Sequence, residues 1–214
     1  MPDIFRFWAQ VEPAERVHPA DKAVLSRVNH GFDLKCLPGC FWGPLRTAPV
    51  VLLYLSPGWS ERTLKEAKSK LCQEREMRVR RGRELMDAHG SGVRWLSERT
   101  KCFDLDWHQI RSKMAVLNIG GYHSKTFADA PLLAALPSSR ASVGWAQDVL
   151  FPQAIAGEKV VICLRAARFW GLKTGEKVGK SLFAPHVTRG GHMKHGKMRD
   201  QIIRAVRAAV GRRT

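Results

Sequence analysis

The sequence predicts an α/β protein, a three-layer α/β/α sandwich around a central, mostly parallel four-stranded sheet. Three observations carry that expectation. Two apolar runs, Val50–Leu55 and Lys159–Leu164, are too short for buried helices and lack the alternation of half-exposed strands. A third, Met114–Ile119, has the same character, and a weaker fourth strand is expected at Leu182–Ala184. Helical segments fall between the strands, and strands alternating with helices favour parallel pairing with both faces covered.

The elements follow in chain order. Short helices are expected over Ile4–Val11 and Ala20–His30, the second with Ala23, Val24 and Val28 on one side. Pro38, Gly39, Gly43, Pro44 and Pro49 punctuate the loop that enters the first strand. From Glu61 to about Leu85 the chain is dense in Lys, Arg and Glu without proline, so it reads as one long solvated helix or a pair. Within it Arg78, Arg80, Arg81 and Arg83 are concentrated enough to touch phosphates. Gly90 and Gly92 flank the start of a helix through Trp95 and Leu96.

After the 114–119 strand, Pro131–Leu136 reads as a short apolar helix, and Ser138 or Ser139 can cap the next, where Val143, Ala146, Val149 and Leu150 recur at helical spacing. The 159–164 strand runs into a helical Ala166–Trp170 ended by Gly171. The last helix, about Lys197 to Val210, places Met198, Ile202, Val206 and Val210 on one face. No repeat or linker divides the chain, so one domain over 1–214 is expected. It has an N-terminal helical segment at 1–36 and a charged helical insertion at 61–90.

Charge is the outlying quantity. The 214 residues hold 36 Lys and Arg against 19 Asp and Glu, a formal net charge of +17. Such a chain gathers polyanions, so nucleic acid is the expected partner. No obligate protein partner is evident. No apolar run reaches the ~20 residues that span a bilayer, and the amino terminus lacks the pattern of a signal peptide. The five cysteines, Cys36, Cys40, Cys72, Cys102 and Cys163, are odd in number and scattered, which points to reduced thiols and a cytoplasmic location. The first four are too loosely spaced for a zinc or iron-sulfur site, so neither metal nor cofactor is expected.

Chemistry gathers at the strand exits. Leu55-Ser56-Pro57-Gly58-Trp59 and Asn118-Ile119-Gly120-Gly121-Tyr122-His123-Ser124-Lys125 both leave apolar strands through glycine turns that carry polar and aromatic side chains. In open α/β sheets such exits face a ligand crevice. A late loop, Pro185 to Met193, adds His186, Arg189, Gly190, Gly191 and His192, with Lys194 beyond it. In this order, from Leu37 onward, the motifs resemble the uracil-DNA glycosylase superfamily. Ser56-Pro57-Gly58 stands where members carry an Asn-Pro-Gly or Asp-Pro type motif, and Asn118 stands at the strand end that reads the base edge. The 185–192 loop matches the one whose His polarises the departing base.

The resemblance implies that the partner is DNA, duplex or single-stranded, and that the activity is base flipping and N-glycosidic cleavage without a cofactor, as in base-excision DNA repair. Asn118, His192 and Ser56 are then the catalytic candidates, and Pro57, Gly58, Trp59, Tyr122, His123 and Ser124 hold the substrate. Lys125, His186, Arg189, Gly190, Gly191 and Lys194 contact the DNA backbone. Trp59, Tyr122 and Phe127 offer stacking faces, whereas Trp95, Trp145 and Trp170, at helical spacings, are expected in the core. Asn118 has an equally ordinary role as a turn or cap residue. Ser56 departs from the family pattern: a hydroxyl can hold water but cannot serve as a carboxylate base. Glu61 is the nearest carboxylate downstream and suits the first turn of a helix. The departure leaves open dissociative uracil excision, removal of a bulkier modified pyrimidine such as those of phage DNA, or binding without cleavage. A phage-defence role belongs with the second. A nucleotide hydrolase is disfavoured, because no Walker-type loop or Gly-x-Ser-x-Gly elbow is present.

Overall fold

The structure is a computed structural model, and it describes residues 3–90, 92–125 and 130–211. Among them, six strands form one sheet: β1 (Phe41–Trp42), β2 (Val50–Tyr54), β3 (Met114–Asn118), β4 (Val160–Cys163), β5 (Glu176–Val178) and β6 (Leu182–Ala184). Their order across the sheet is β1-β3-β2-β4-β6-β5. The four expected strands are mutually parallel, β2 lying between β3 and β4 with Leu52 opposite both Val116 and Ile162. The expectation of a four-stranded sheet is corrected by two short antiparallel edge strands, β1 on β3 and β5 on β6, which make the sheet six-stranded and mixed. Both are hard to read in sequence. β1 is two residues inside a Pro- and Gly-rich stretch, and β5 is polar and largely exposed.

Burial on both faces explains the unbroken apolar character of the inner strands. Val51, Leu53, Ala115, Leu117, Val161 and Cys163 join one core cluster; Val50, Leu52, Met114, Val116, Val160 and Ile162 join the other. Each fully buried aliphatic side chain of this kind contributes about 2 kcal/mol. The first cluster is closed by α1 (Ile4–Trp8) and by a helical stretch over 137–156. That stretch comprises α8 (Pro137–Trp145), a π-helical turn (Ala146–Leu150) and α9 (Phe151–Ala156). The wide turn directly precedes Phe151-Pro152, where proline has no N–H to give to an earlier carbonyl. The second cluster is closed by α5 (Val93–Thr100), α6 (Trp107–Lys113) and α10 (Lys197–Gly211), the last through Ile202, Val206, Ala209 and Val210.

Several expected elements shift. The 20–30 helix shrinks to a 3₁₀ turn and α2 (Lys22–Leu25), leaving Val28 exposed. The charged segment is a pair, α3 (Glu61–Lys68) and α4 (Lys70–Val79), broken at Ser69, whose extended backbone ends one helix and whose side chain caps the next. Within the Arg cluster, Arg80 is withdrawn from any phosphate: it is 2% exposed and donates to the carbonyls of Val11 and Pro38. Neither Ser138 nor Ser139 caps α8. Leu136 occupies that position, with Pro137 in the first turn and both serines buried. The expected 131–136 helix is α7 (Ala130–Ala135), and the expected 166–170 helix is a 3₁₀ turn over Ala167–Trp170 ended by Gly171 at φ +77°. No helix among the described residues is long and apolar enough to cross a membrane.

The N-terminal segment is tied to the β3 exit by a buried polar network. Tyr122 Oη donates to Asp21 Oδ2 at 2.6 Å and accepts from the His18 N–H at 3.1 Å; Asp21 Oδ1 accepts from the Ser138 N–H at 3.0 Å. Asp21 and His18 are fully buried, so each polar atom in this network depends on its partner. We expect Tyr122→Phe to lower unfolding free energy by about 1–3 kcal/mol, read from urea denaturation, because it strands Asp21 Oδ2 and the His18 N–H.

Candidate functional site

The parallel strands deliver their exits to one edge. There the β2 and β3 exits are stapled together: the Ile119 and Gly120 N–H groups donate to the Tyr54 and Leu55 carbonyls at 3.2 and 2.8 Å. Gly58 and Ser124 pair in a parallel bridge, and His123 Nδ1 donates to the Gly58 carbonyl at 2.7 Å. Gly120 leaves room for α7 against this exit, since a Cβ there would lie 2.7 Å from a Leu133 methyl.

Beside this staple lies a cavity of about 400 Å³ that Ser56, Pro57, Gly58, Trp59, Asn118 and His123 all line. Asn118 is 7% exposed, fixed by its backbone N–H on the Cys40 carbonyl at 2.6 Å and by its place at the end of β3 opposite Tyr54. Trp59 stands at the rim, its Nε1–H donated to Asp33 Oδ2 at 2.7 Å and its ring covered by the Lys125 ammonium 4.1 Å from the centroid. Burial pushes His123 toward its neutral form, against the Gly58 carbonyl that favours the cation.

Other expected contacts lie elsewhere. Tyr122, expected as a stacking face, is 2% exposed and committed to the Asp21 network, so its ring is a core group. Ser124 is buried in its bridges to Phe32 and Gly58. Phe127 lies outside the described residues. His192 does not line the cavity. It sits in the β6 exit, where Val187 pairs antiparallel with Met193 and Thr188-Arg189-Gly190-Gly191-His192 form a tight tip, with Gly191 at φ +83°. His186, Arg189, Gly190, His192 and Lys194 are exposed there. Arg165, at the β4 exit, donates to the Arg189 carbonyl, and Arg99 Nη1 meets His192 Nε2. A guanidinium only donates, so Nε2 accepts and Nδ1 carries the imidazole proton.

Sequence reasoning placed the helix that is α5 but missed its part in the cavity wall, and that of the inner face of α3 and α4. Trp95, expected in the core, is 37% exposed and lines the cavity, edge-on to Tyr54 at 4.8 Å. Trp145 and Trp170 are buried as expected. Arg99 lies one turn beyond Trp95, so a single helix supplies a cavity wall and the support of His192. Burial also raises the Tyr54 phenol above its usual range, although Arg99 and Arg165 pull it down.

From α4 come Cys72, Arg75 and Glu76, with Glu66 of α3 and Asp87 beyond α4. Arg75 pairs with Asp87, and Arg62 holds Glu66 at 3.2 Å. Glu76 Oε2 has no water-exposed surface and no hydrogen-bond partner among the described residues. Desolvation pushes its carboxyl up to about 7, partly offset by Arg80 and Arg75 and reinforced by Glu66. The signal available in sequence was slight, a glutamate in a run that reads as a solvated face.

A second cavity lies at the opposite, amino-terminal ends of β2 and β4, lined by Asp3, Arg46, Asp148 and Lys159, where Arg46 is paired with Asp3. No strand exit reaches it. Among the described residues no cluster of three or more His, Cys, Asp or Glu is placed to hold a metal ion. Comparison of the chain with known protein families, with curated proteins and with solved structures finds no match.

Because the native Glu76 keeps a proton that the unfolded chain releases above pH 4.5, its contribution to stability is complete below that value and is lost as pH rises toward about 7. We expect Glu76→Gln to flatten the fall in unfolding free energy between pH 4.5 and 7.5 by on the order of a few kcal/mol. Chemical denaturation at several pH values measures it, and parallel profiles for the two proteins would refute it.

Proposed function

We propose that the protein flips a damaged or modified pyrimidine out of DNA and cleaves its N-glycosidic bond. The observation that carries this reading is that Ser56 and Asn118, from two separate strand exits, line one cavity walled by indole rings at the edge of a strongly basic chain. Extrusion costs a few kcal/mol of stacking, which phosphate contacts and aromatic packing in the pocket can offset. Arg189, Lys194 and His186 on the exposed β6 exit are the backbone contacts in this reading, and Lys125 holds the strand beside Trp59. The Asn118 amide, with one donor and one acceptor edge, pairs with the base. Departure of the base leaves positive charge on the sugar and negative charge on the base. Ser56 holds the water that adds to the sugar as the N-glycosidic bond breaks, the proton it sheds passing to the base anion, and this reading requires the β6 exit to bring the Nδ1–H of His192, which stands outside the cavity lining, up to the base oxygen when DNA is bound.

A second reading, a non-cleaving nucleic-acid-binding module, is favoured by the position of His192 outside the cavity lining. It rests on the same basic surface without chemistry. A nucleotide hydrolase draws no support from the site, where neither a phosphate loop nor a nucleophile elbow occurs in the sequence.

Duplexes carrying single modified pyrimidines, assayed for alkali-labile abasic sites, separate the two readings. Release is expected from at least one duplex. Asn118→Ala and His192→Ala are expected to slow it by about 10²–10³-fold, the loss typical of one transition-state donor, with little change in affinity. Tight binding with no release from any duplex establishes the binding module instead. In either case, Arg189→Ala and Lys194→Ala are expected each to reduce the slope of log K against log salt by about one, and an unchanged slope removes that residue from the DNA interface.

A further inference from the structure

Three parallel strands end side by side in the order β2, β4, β6, and the outer two exits carry Ser56 and the His192 tip. Arg165 stands on the middle exit, just past β4, where the Leu164 N–H donates to the Leu53 carbonyl at 3.0 Å. One strand spacing, about 4.8 Å, separates that exit from each neighbour. A polymer that reaches from the cavity to the tip therefore crosses the β4 exit. Ala166, directly after Arg165, turns the chain there at φ +59°. A side-chain-bearing residue is strained in the left-handed region, and such strain is concentrated at ligand sites.

Arg99 of α5 comes to the same place. The point that a Cβ on Gly191 would occupy is 3.3 Å from Arg165 Nε and 3.7 Å from Arg99 Nε, so both guanidiniums flank one turn of the tip. Both charges also act on the Tyr54 phenol at the end of β2. Two cations placed this way repel, yet among the described residues neither is within salt-bridge distance of a carboxylate. Their partners are neutral: Arg165 Nη2 donates to the Arg189 carbonyl, and Arg99 Nη1 to His192 Nε2. These bonds fix the two groups without cancelling their charge. Arg99 Nη2 and Arg165 Nε and Nη1 make no hydrogen bond among the described residues and, unlike Arg99 Nε, are not sealed from water. A guanidinium held by one N–H and free at others is pre-organised for an oxyanion.

We propose that Arg99 and Arg165 together bind one phosphate group of a DNA strand, the phosphate that crosses the β4 exit between the cavity and the tip. A phosphodiester supplies the negative charge that the pair lacks, and its two outward oxygens accept from the free N–H groups. Neither arginine belongs to a strand-exit motif, so both come in addition to the backbone contacts of the β6 exit. The proposal rests on DNA binding, which the glycosylase and the binding module share, and not on cleavage.

The test is the salt dependence of affinity for a fluorescent DNA duplex, read by anisotropy for the intact chain, Arg99→Gln, Arg165→Gln, the double Gln variant and the double Lys variant. Each phosphate neutralised on a duplex contributes about 0.9 to the slope of log K against log salt. Because the two arginines share one phosphate, either Gln substitution alone is expected to weaken binding with little change of slope. The double Gln variant is expected to bind about tenfold more weakly or worse and to lose about 0.9 of slope. The double Lys variant keeps the slope, since ammonium groups also neutralise phosphate, but loses affinity with the forked geometry. Thermal unfolding confirms that the variants fold. An unchanged slope in the double Gln variant removes the pair from the interface, and a loss of about twice 0.9 gives each arginine its own phosphate; either overturns the shared site. An equal loss of slope in the double Lys variant overturns it too, because the substitutions then act through the fold of the tip. Saturable binding of inorganic phosphate in calorimetry, lost in the double Gln variant while the DNA slope is unchanged, assigns the pair to a free anion and overturns the strand assignment. Absence of duplex binding by the intact chain ends the DNA reading and this site with it, whereas failure to release a base ends only the glycosylase reading.

Discussion

Everything at the candidate site depends on β2 being paired in parallel on both sides. Because β3 and β4 run with it in register, the chain leaves these strands at one edge, and residues more than a hundred positions apart become neighbours. Parallel pairing requires long crossovers, and the helices that make them bury both sheet faces, which excludes water from the backbone ladder. Two backbone hydrogen bonds and one imidazole then lock the first two exits together. The pocket is therefore a property of the sheet more than of any one loop.

The network around Asp21 extends this constraint to the first residues of the chain. A carboxylate with no exposed surface accepts from Tyr122 on the β3 exit and from the first turn of α8. His18 stacks on Phe7 at 3.9 Å and donates its backbone N–H to the same tyrosine. The N-terminal segment thus braces the exit that carries His123 and Lys125. Burial of His18 favours its neutral form, which suits a ring lying flat on phenylalanine.

The inner strands were legible in sequence because each is a short apolar run bounded by turn residues, and burial on both faces is what produces such a run. The exits were legible as well, since glycine, proline and polar residues mark where a strand ends. Edge strands were not, because β1 takes its partner from β3 and β5 is held by β6, with no apolar pattern of their own. Trp95 and Glu76 escaped for a different reason. Helical spacing says which residues share a face but not whether that face meets core, solvent or a cavity, and only tertiary packing turns α4 and α5 toward the sheet edge. Tyr122 failed in the opposite sense: a tyrosine in a glycine-rich exit invites a binding role, yet its hydroxyl is consumed by Asp21.

Helix α5 ties two regions that are otherwise separate. Trp95 lines the cavity and meets Tyr54 edge-on, and Arg99, one turn along, holds His192 on the exposed tip. A helix of eight residues is stiff, so a displacement at one end reaches the other with little loss. The cavity wall and the exposed tip therefore share one short rigid support, so a change in how α5 is seated alters the setting of the indole and of the imidazole together.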